Sequence, residues 1–467
     1  MNTPMRYNYS SSPASAGQPP LALGMGGTLV GQSRKNLVSS FYRMSTFRRI
    51  QGACFFALVL LAVSGALAQT VTPLGGEFSI LGARTGDQVL PSLALSATEA
   101  VLVWQDPFVD GAGQGIGMTI LDNNYAGGAI LAANKTATGN QINPQVKLLK
   151  NGITIVVWQS SVLGSPDIFA RLWKGNKPLT ADIRVNAYLV DQQIDPVVDA
   201  LPDGGAIIAW ASYGQDGSLW GIYARRFNAA GVAATPKEFL VNQYTQYNQR
   251  NPAVATLANG NYVIAWVSEQ QRFAASADIY ARVFTSGGMP VTDEILLNSG
   301  NRPCASPALA PLSGGGFTAA WSQKDTIASN SWDVWARPFS ATGAPLGEEL
   351  RINAYLYGDQ YRPKLASAPN GILAVWTSMG EDGSYEGVFG RYILGGVAAS
   401  GPEFQVNTTV ASKQIHPTVA WNGVDRFVVI WSSFSGASGF DLFGQEYVLS
   451  GAASPAKAVK PAGTPKF

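Results

Sequence analysis

The one histidine in the chain, His416, stands immediately before Pro417, and Asp195 and Arg362 likewise stand immediately before Pro196 and Pro363. An imidazole exchanges a proton near neutral pH, a carboxyl group shares that work, and a guanidinium holds an anion. Together the three have the composition of a general acid–base site. The equivalent position elsewhere holds Leu90, Asn143, Asn251 and Ser306. Such variation also arises at unconstrained surface positions, so these three remain candidates rather than an assignment. Other chemistries lack their parts. One His and two Cys leave no ligand set for zinc or copper. Asp216-Gly217-Ser218 and Asp382-Gly383-Ser384 lack the alternating acids of a calcium loop and read as turns. No Gly-rich phosphate loop is present. No metal or cofactor is expected.

What must position these residues is a repeat. Trp104, Trp158, Trp210, Trp266, Trp321, Trp376 and Trp431 recur at a mean spacing of 54.5 residues, each 13 or 14 residues after a proline. Three residues before the proline stands Gln88, Gln141, Gln193, Gln249, Gln360 or Gln414, with Cys304 in the fifth unit. Nine or ten residues before it stands Asn134, Asn186, Asn242, Asn298, Asn353 or Asn407, with Gly82 in the first. One copy reads EFLV, then AVATL after the proline, then YVIAWVS after the hairpin signal Asn259-Gly260, then DIYARVF: four short strands. The YVIAWV stretch is apolar on both alternating faces and must be covered on both sides. Interior Gly and Pro disfavour helices, and the 51 Gly and 27 Pro suit many strands joined by tight turns.

Four-stranded repeats of this length predict an all-β, seven-bladed β-propeller with four antiparallel strands per blade. In each blade the strand after the proline is innermost (a), followed outward by the Trp strand (b), the DIYAR-like strand (c) and the EFLV-like strand (d). Glu77 to Leu81 has no blade of its own, and the last unit lacks a d strand. The two are therefore expected to pair, Glu77–Leu81 against Asp441–Val448, closing the ring. Written as EFLVN, QRNPAVATL, NYVIAWVS and DIYARVF, the unit resembles tandem repeats of bacterial secreted and surface proteins across residues 77–450. That resemblance implies propeller-like domains in an extracellular setting.

The N-terminus carries an export grammar. Residues 1–43 read as disordered or as a start-site overcall. Residues 44–68 read as a signal peptide: Arg48-Arg49, an apolar run from Ala53 to Val63, and Ala66-Leu67-Ala68. Cleavage near Ala68 removes six of 32 basic and none of 30 acidic residues, leaving a net charge of about −4. The basic surface that nucleic acid requires is then absent. The expected product is periplasmic or extracellular, without stable membrane insertion, and comprises the propeller at 69–450 and a flexible Ala/Pro/Lys tail at 451–467. It keeps one cysteine, Cys304, read as a buried inert thiol. Its oligomeric state is not legible.

The d-to-a and b-to-c connections share one rim, and only these are long and varied, the usual place for specificity on a rigid scaffold. Aromatic side chains gather there: Trp220, Trp332 and Tyr385 on b-to-c loops, with Tyr188, Tyr247, Tyr357 and Tyr361 on d-to-a loops. Flat apolar rings with polar edges suit sugars or protein surfaces. The leading expectation is a secreted, non-enzymatic recognition or scaffold module binding an extracellular glycan or protein through this rim. The alternative is a polysaccharide-active hydrolase or lyase at the channel mouth, where His416, Asp195 and Arg362 stand.

Overall fold

The computed structural model describes residues 70–325, 330–395 and 398–450; the expected leader (1–68) and tail (451–467) lie outside the described residues. Among the described residues the fold is all-β, broken only by two short 3-10 turns, Lys150–Gly152 and Gly436–Ser438. Each repeat folds as the sequence pattern dictates. In unit 4, strand a is Gln249–Thr256, b is Tyr262–Glu269, c is Ala277–Phe284 and d is Ile295–Leu296, antiparallel and in that order. Five sheets carry one unit each. The sixth spans units 5 and 6, joined by parallel pairing of Asn330 with Gly358 and Trp332 with Asp359.

The N-terminal strand, Val71–Ser79, pairs antiparallel with Phe440–Leu449 of unit 7, setting Phe78 opposite Gly444 and Ser79 opposite Phe443. It starts before the expected Glu77 and ends two residues before Leu81. Each a strand packs beside that of the next unit, and Gln414–Trp421 of unit 7 packs beside Val89–Leu95 of unit 1.

The doubly apolar b strands explain the stacking. In unit 4, Val263, Ala265 and Val267 face Phe317 and Trp321 of unit 5, while Ile264 and Trp266 face Ile207 and Ala209 of unit 3. All seven repeat tryptophans are at most 1% exposed, so each is a wedge between sheets rather than a ligand platform.

Polar clamps fix the sheets to one another. A carboxylate on strand d of one unit accepts backbone N–H groups from the d-to-a loop of the preceding unit. Glu238 takes Ala187 at 2.9 Å and Tyr188 at 2.8 Å. Asp182, Glu294, Glu349 and Glu403 repeat the contact on Thr136, Tyr244, Ser299 and Tyr355. Glu77 of the N-terminal strand does the same for Thr408 and Thr409 at 2.7 and 3.1 Å. Beside each clamp the repeat asparagine bridges strands: Asn186 accepts from Ile168 N at 2.9 Å and donates to Asp167 at 2.6 Å and to Gln193 at 3.1 Å. The repeat glutamine then donates to a carbonyl of its own loop, Gln193 to Val190 at 3.1 Å. The Asn and Gln series are thereby consumed in joining units.

Between units 7 and 1 these polar parts are missing. Leu81-Gly82 replaces the asparagine, Ile130 the acid, and Thr119 the strand-c arginine that reaches the preceding unit from units 2, 3, 4 and 6, as Arg225 reaches Val185 O at 2.8 Å. Here Ile80, Leu81, Tyr125 and Ile130 pack together, Gly127 N donates to Ile80 O at 3.0 Å, and the polar contacts are different ones: Arg84 N donates to Asp441 Oδ1 at 2.8 Å and Phe440 N to Asp87 Oδ1 at 3.1 Å.

Burial pushes the Glu238 carboxyl up, but bonds from its own backbone, Ala187, Tyr188 and Gln215 outweigh that and hold it below the usual range. A depressed acid stabilises the fold above its unfolded pKa, about 4.3, and that contribution is lost as pH falls. Glu238→Ala, which leaves two amides without their acceptor, is expected to cost about 1–3 kcal/mol in urea unfolding at neutral pH. An unchanged midpoint would show that the clamp contributes nothing.

Candidate functional site at the inner-strand bulges

The pre-proline positions share one unusual backbone state. Leu90, Asn143, Asp195, Asn251, Ser306, Arg362 and His416 have φ between 52° and 60°, the left-handed region that residues with a Cβ rarely occupy. Each sits in a bulge: in unit 3, Ile194 pairs Ala211 and the next pair is Val197 with Ala209, leaving Asp195 and Pro196 outside the ladder. All seven a strands shift register at this place. Such strain, of order 1–3 kcal/mol per residue, persists only where surroundings over-determine it, and it re-aims the side chain out of the sheet.

Those side chains meet across units. Asp195 accepts from Asn143 Nδ2 at 2.9 Å through one carboxylate oxygen and from Asn251 Nδ2 at 3.2 Å through the other. Arg250 in turn donates to Asn251 Oδ1 at 2.9 Å and pairs with Glu269 at 2.7 Å. Burial pushes the Asp195 carboxyl up; the bond from Asn143 and the charges of Arg250 and Arg362 oppose the shift without cancelling it.

Units 6 and 7 supply the opposite charge. Arg362 is exposed, its backbone N donating to Ser322 Oγ at 3.1 Å, and among the described residues no carboxylate lies within 4.0 Å of its guanidinium or of the Lys364 ammonium. Water reaches Lys364, yet the surrounding protein desolvates it, and burial together with Arg362 lowers its pKa. His416 has a buried Nδ1 without a hydrogen-bond partner. Burial first, then Arg362 and Lys364, lowers its pKa to about 4, so the imidazole is neutral at pH 7.

The three sequence candidates thus occupy one tier, and Arg362 acts electrostatically on both Asp195 and His416. Asp195 is hydrogen-bonded to amides rather than to His416. Lys364, Arg250 and the two asparagines were not singled out by sequence. Lys364 had a signal: the residue after the proline is Ser92, Gln145, Val197, Ala253, Ala308 and Thr418 in the other units, and only unit 6 places a cation there.

The rim aromatics divide. Tyr247, Tyr357 and Tyr385 are 41%, 59% and 64% exposed. Lys413 lies 5.7 Å over the Tyr385 ring. Trp220, Trp332, Tyr188 and Tyr361 are half-buried. Trp220 packs edge-on to Tyr213 at 5.2 Å, and burial pushes the Tyr361 hydroxyl up to about 12, with Glu386 adding to the shift. Cys304 is buried with its thiol pKa raised by desolvation, and it donates to Arg302 O. Asp216 and Asp382 cap their own turns by accepting from Ser218 N and Ser384 N, both at 3.1 Å. Among the described residues no group of three or more His, Cys, Asp or Glu is placed to hold a metal ion. Nor is any helix there long and apolar enough to cross a membrane.

No protein-family model and no curated protein matches the sequence, so the resemblance to tandem-repeat secreted proteins has no support at the level of sequence. Solved structures do match. An ulvan lyase of polysaccharide lyase family 25, bound to -[GlcA(1-4)Rha3S]-, covers 81% of this chain and 96% of its own at 7% identity and a TM-score of 0.51. The likeness is one of fold. A second polysaccharide lyase covers 81% of this chain and 100% of its own at 8% identity and TM-score 0.51. A protein of unknown function from Dyadobacter fermentans covers 81% and 99% at 10% identity and TM-score 0.50. The shared architecture is all-β and propeller-type.

His416 gives a pH signature. Its folded pKa of about 4 lies below the unfolded value of about 6.5, so the unfolded chain takes up the proton first as pH falls. Its contribution to stability is intact above about pH 6.5 and is lost progressively toward about pH 4. Thermal unfolding across that window should fall more steeply in the parent protein than in His416→Gln. Parallel curves would contradict a desolvated imidazole.

Proposed function

We propose that this chain is a secreted, seven-bladed propeller enzyme that cleaves acidic polysaccharide at the mouth of its central channel. A closed ring is supported by the pairing of Val71–Ser79 with Phe440–Leu449 and by the packing of the unit 7 inner strand beside that of unit 1. Five one-unit sheets and one two-unit sheet support a count of seven blades. Secretion rests on the sequence grammar of residues 44–68.

The observation that carries the reading is the inner-strand tier, where Arg362 and Lys364, without a carboxylate partner among the described residues, stand with a neutral imidazole whose buried Nδ1 has no hydrogen-bond partner. Two neighbouring cations with no carboxylate beside them among the described residues favour an anionic ligand, and a sugar carboxylate or sulfate supplies one. Held against these cations, a uronate loses the proton on the carbon beside its carboxylate more readily, because the charge that develops is spread onto the bound group. His416 accepts that proton, the glycosidic C–O bond on the neighbouring carbon breaks, and a carbon–carbon double bond forms. The leaving sugar oxygen takes a proton from water on the Asp195 side, and the hydroxide left behind is neutralised by the proton held on His416. The polysaccharide lyases of similar fold make an acidic glycan a natural class to test.

An enzyme is favoured over a non-catalytic rim module because four of the seven rim aromatics are half-buried, whereas the reactive groups converge on the inner strands. The test is turnover by the purified protein on uronate-containing, sulfated and neutral polysaccharides, followed as unsaturated product and new reducing ends. His416→Ala is expected to lower cleavage about 10²–10⁴-fold while binding persists. Binding of a glycan with no turnover in the parent protein would overturn the enzyme in favour of a recognition module.

A further inference from the structure

The b-to-c loops of units 3 and 6 are near copies, Tyr213-Gly214-Gln215-Asp216-Gly217-Ser218 and Met379-Gly380-Glu381-Asp382-Gly383-Ser384, and differ in one polar residue. In unit 3 that residue, Gln215, bridges the loop to the inter-unit clamp. It accepts from Ser212 Oγ at 2.8 Å and donates from Nε2 to Glu238 Oε1 at 3.0 Å. Unit 4 solves the same problem with Gln271, whose Nε2 donates to Glu294 Oε2 at 2.7 Å. An amide suits the position because the clamp carboxylate has a lone pair left over after capturing two backbone N–H groups.

Unit 6 places a carboxyl group there instead. Glu403, the clamp acid, spends Oε2 on Ala354 N and Tyr355 N at 2.6 and 3.0 Å, and its Oε1 is buried without a partner. Oε2 of Glu381 is also buried without a partner. Two ionised carboxylates in this slot repel and leave both oxygens unsatisfied, whereas one added proton restores the donor that glutamine supplies elsewhere.

We propose that Glu381 and Glu403 share a proton, making the junction of units 5 and 6 and the Gly380–Tyr385 loop above it a pH-sensitive latch. Protonated, Glu381 donates to Glu403 as Gln215 does to Glu238 and holds the loop that carries the exposed Tyr385. Deprotonated, the pair repels and the loop loosens. Burial, with Glu403 and Asp382 adding to it against the bond from Ser378, raises the Glu381 carboxyl to about 7, and burial raises Glu403 as well. The other charged groups facing the pair are Arg391 and Arg351, which lower Glu403 without cancelling its shift; Tyr355, whose hydroxyl donates to Gly380 O at 3.5 Å, lies beside them. A folded pKa raised above the unfolded value means stabilisation below about 4.5 that is lost as pH rises through about 7.

The latch does not depend on the proposed chemistry at the channel mouth, and its test reads no activity. Thermal unfolding and amide hydrogen exchange of the full chain are compared across this pH range for the parent protein, Glu381→Gln and the reciprocal Gln215→Glu. Glu381→Gln should raise the melting temperature at alkaline pH and slow exchange in residues 380–385, with little change below pH 5. Gln215→Glu should transplant the alkaline loss to the unit 3 loop. A protonated-carboxyl infrared band near neutral pH should disappear in Glu381→Gln. Parent and Glu381→Gln profiles that run parallel through this range, or a Gln215→Glu protein with no new pH dependence, would overturn the proposal.

Discussion

The contact between a strand-d carboxylate and the backbone amides of the preceding unit is what turns a string of similar sheets into one body. Each d-to-a loop leaves the sheet with N–H groups that no ladder satisfies, and a bond to a charged carboxylate is stronger than one to a neutral acceptor. The carboxylates of Asp182, Glu238, Glu294, Glu349 and Glu403 satisfy them from the next unit, and Glu77 performs the same service for unit 6 from the far end of the chain. Because the carboxylate and its amides come from different units, loop conformation and inter-unit geometry are set together. Tryptophan wedges such as Trp266 fill the remaining space. The exception is the junction of units 7 and 1, where Leu81, Thr119 and Ile130 replace these clamps and the seam is held by packing and by the Arg84 N–Asp441 and Phe440 N–Asp87 bonds.

That rigidity makes the inner-strand bulges tolerable. A left-handed residue before a proline is strained, and seven occur in register. The repeat as a whole carries the strain, so the side chain at each bulge is released from ladder pairing and is free to differ from unit to unit. Asn143, Asp195 and Asn251 use that freedom to form a hydrogen-bonded arc, and Arg362 and His416 use it to place a cation and an imidazole at the same level. The candidate site therefore sits where the scaffold is most uniform in backbone and most varied in side chain.

The repeat made the fold legible in advance. Tryptophan and proline spacing, the doubly apolar b strands and the orphan segment at Glu77 led to the sheet order and to the pairing with unit 7. The pre-proline column also drew attention to His416, Asp195 and Arg362. Their left-handed backbone was hidden, because proline restricts its predecessor away from helix without indicating a positive φ. Also hidden was what neutralises or fails to neutralise each charge: Asp195 is satisfied by amides two units apart, and Lys364 by nothing on its own strand. Such partners depend on which side chains the curvature of the fold brings together. Comparison among units retains information that a single pass misses, as the replacement of Gln215 by Glu381 illustrates.

The central claim is that ligand chemistry belongs to the inner-strand tier rather than to the aromatic rim. A crystal structure of the His416→Ala protein with a uronate-containing oligosaccharide tests it most directly. The account predicts a sugar carboxylate or sulfate seated against Arg362 and Lys364, with the chain entering past Asp195. An oligosaccharide lying across Tyr357 and Tyr385 with the inner tier unoccupied would contradict it.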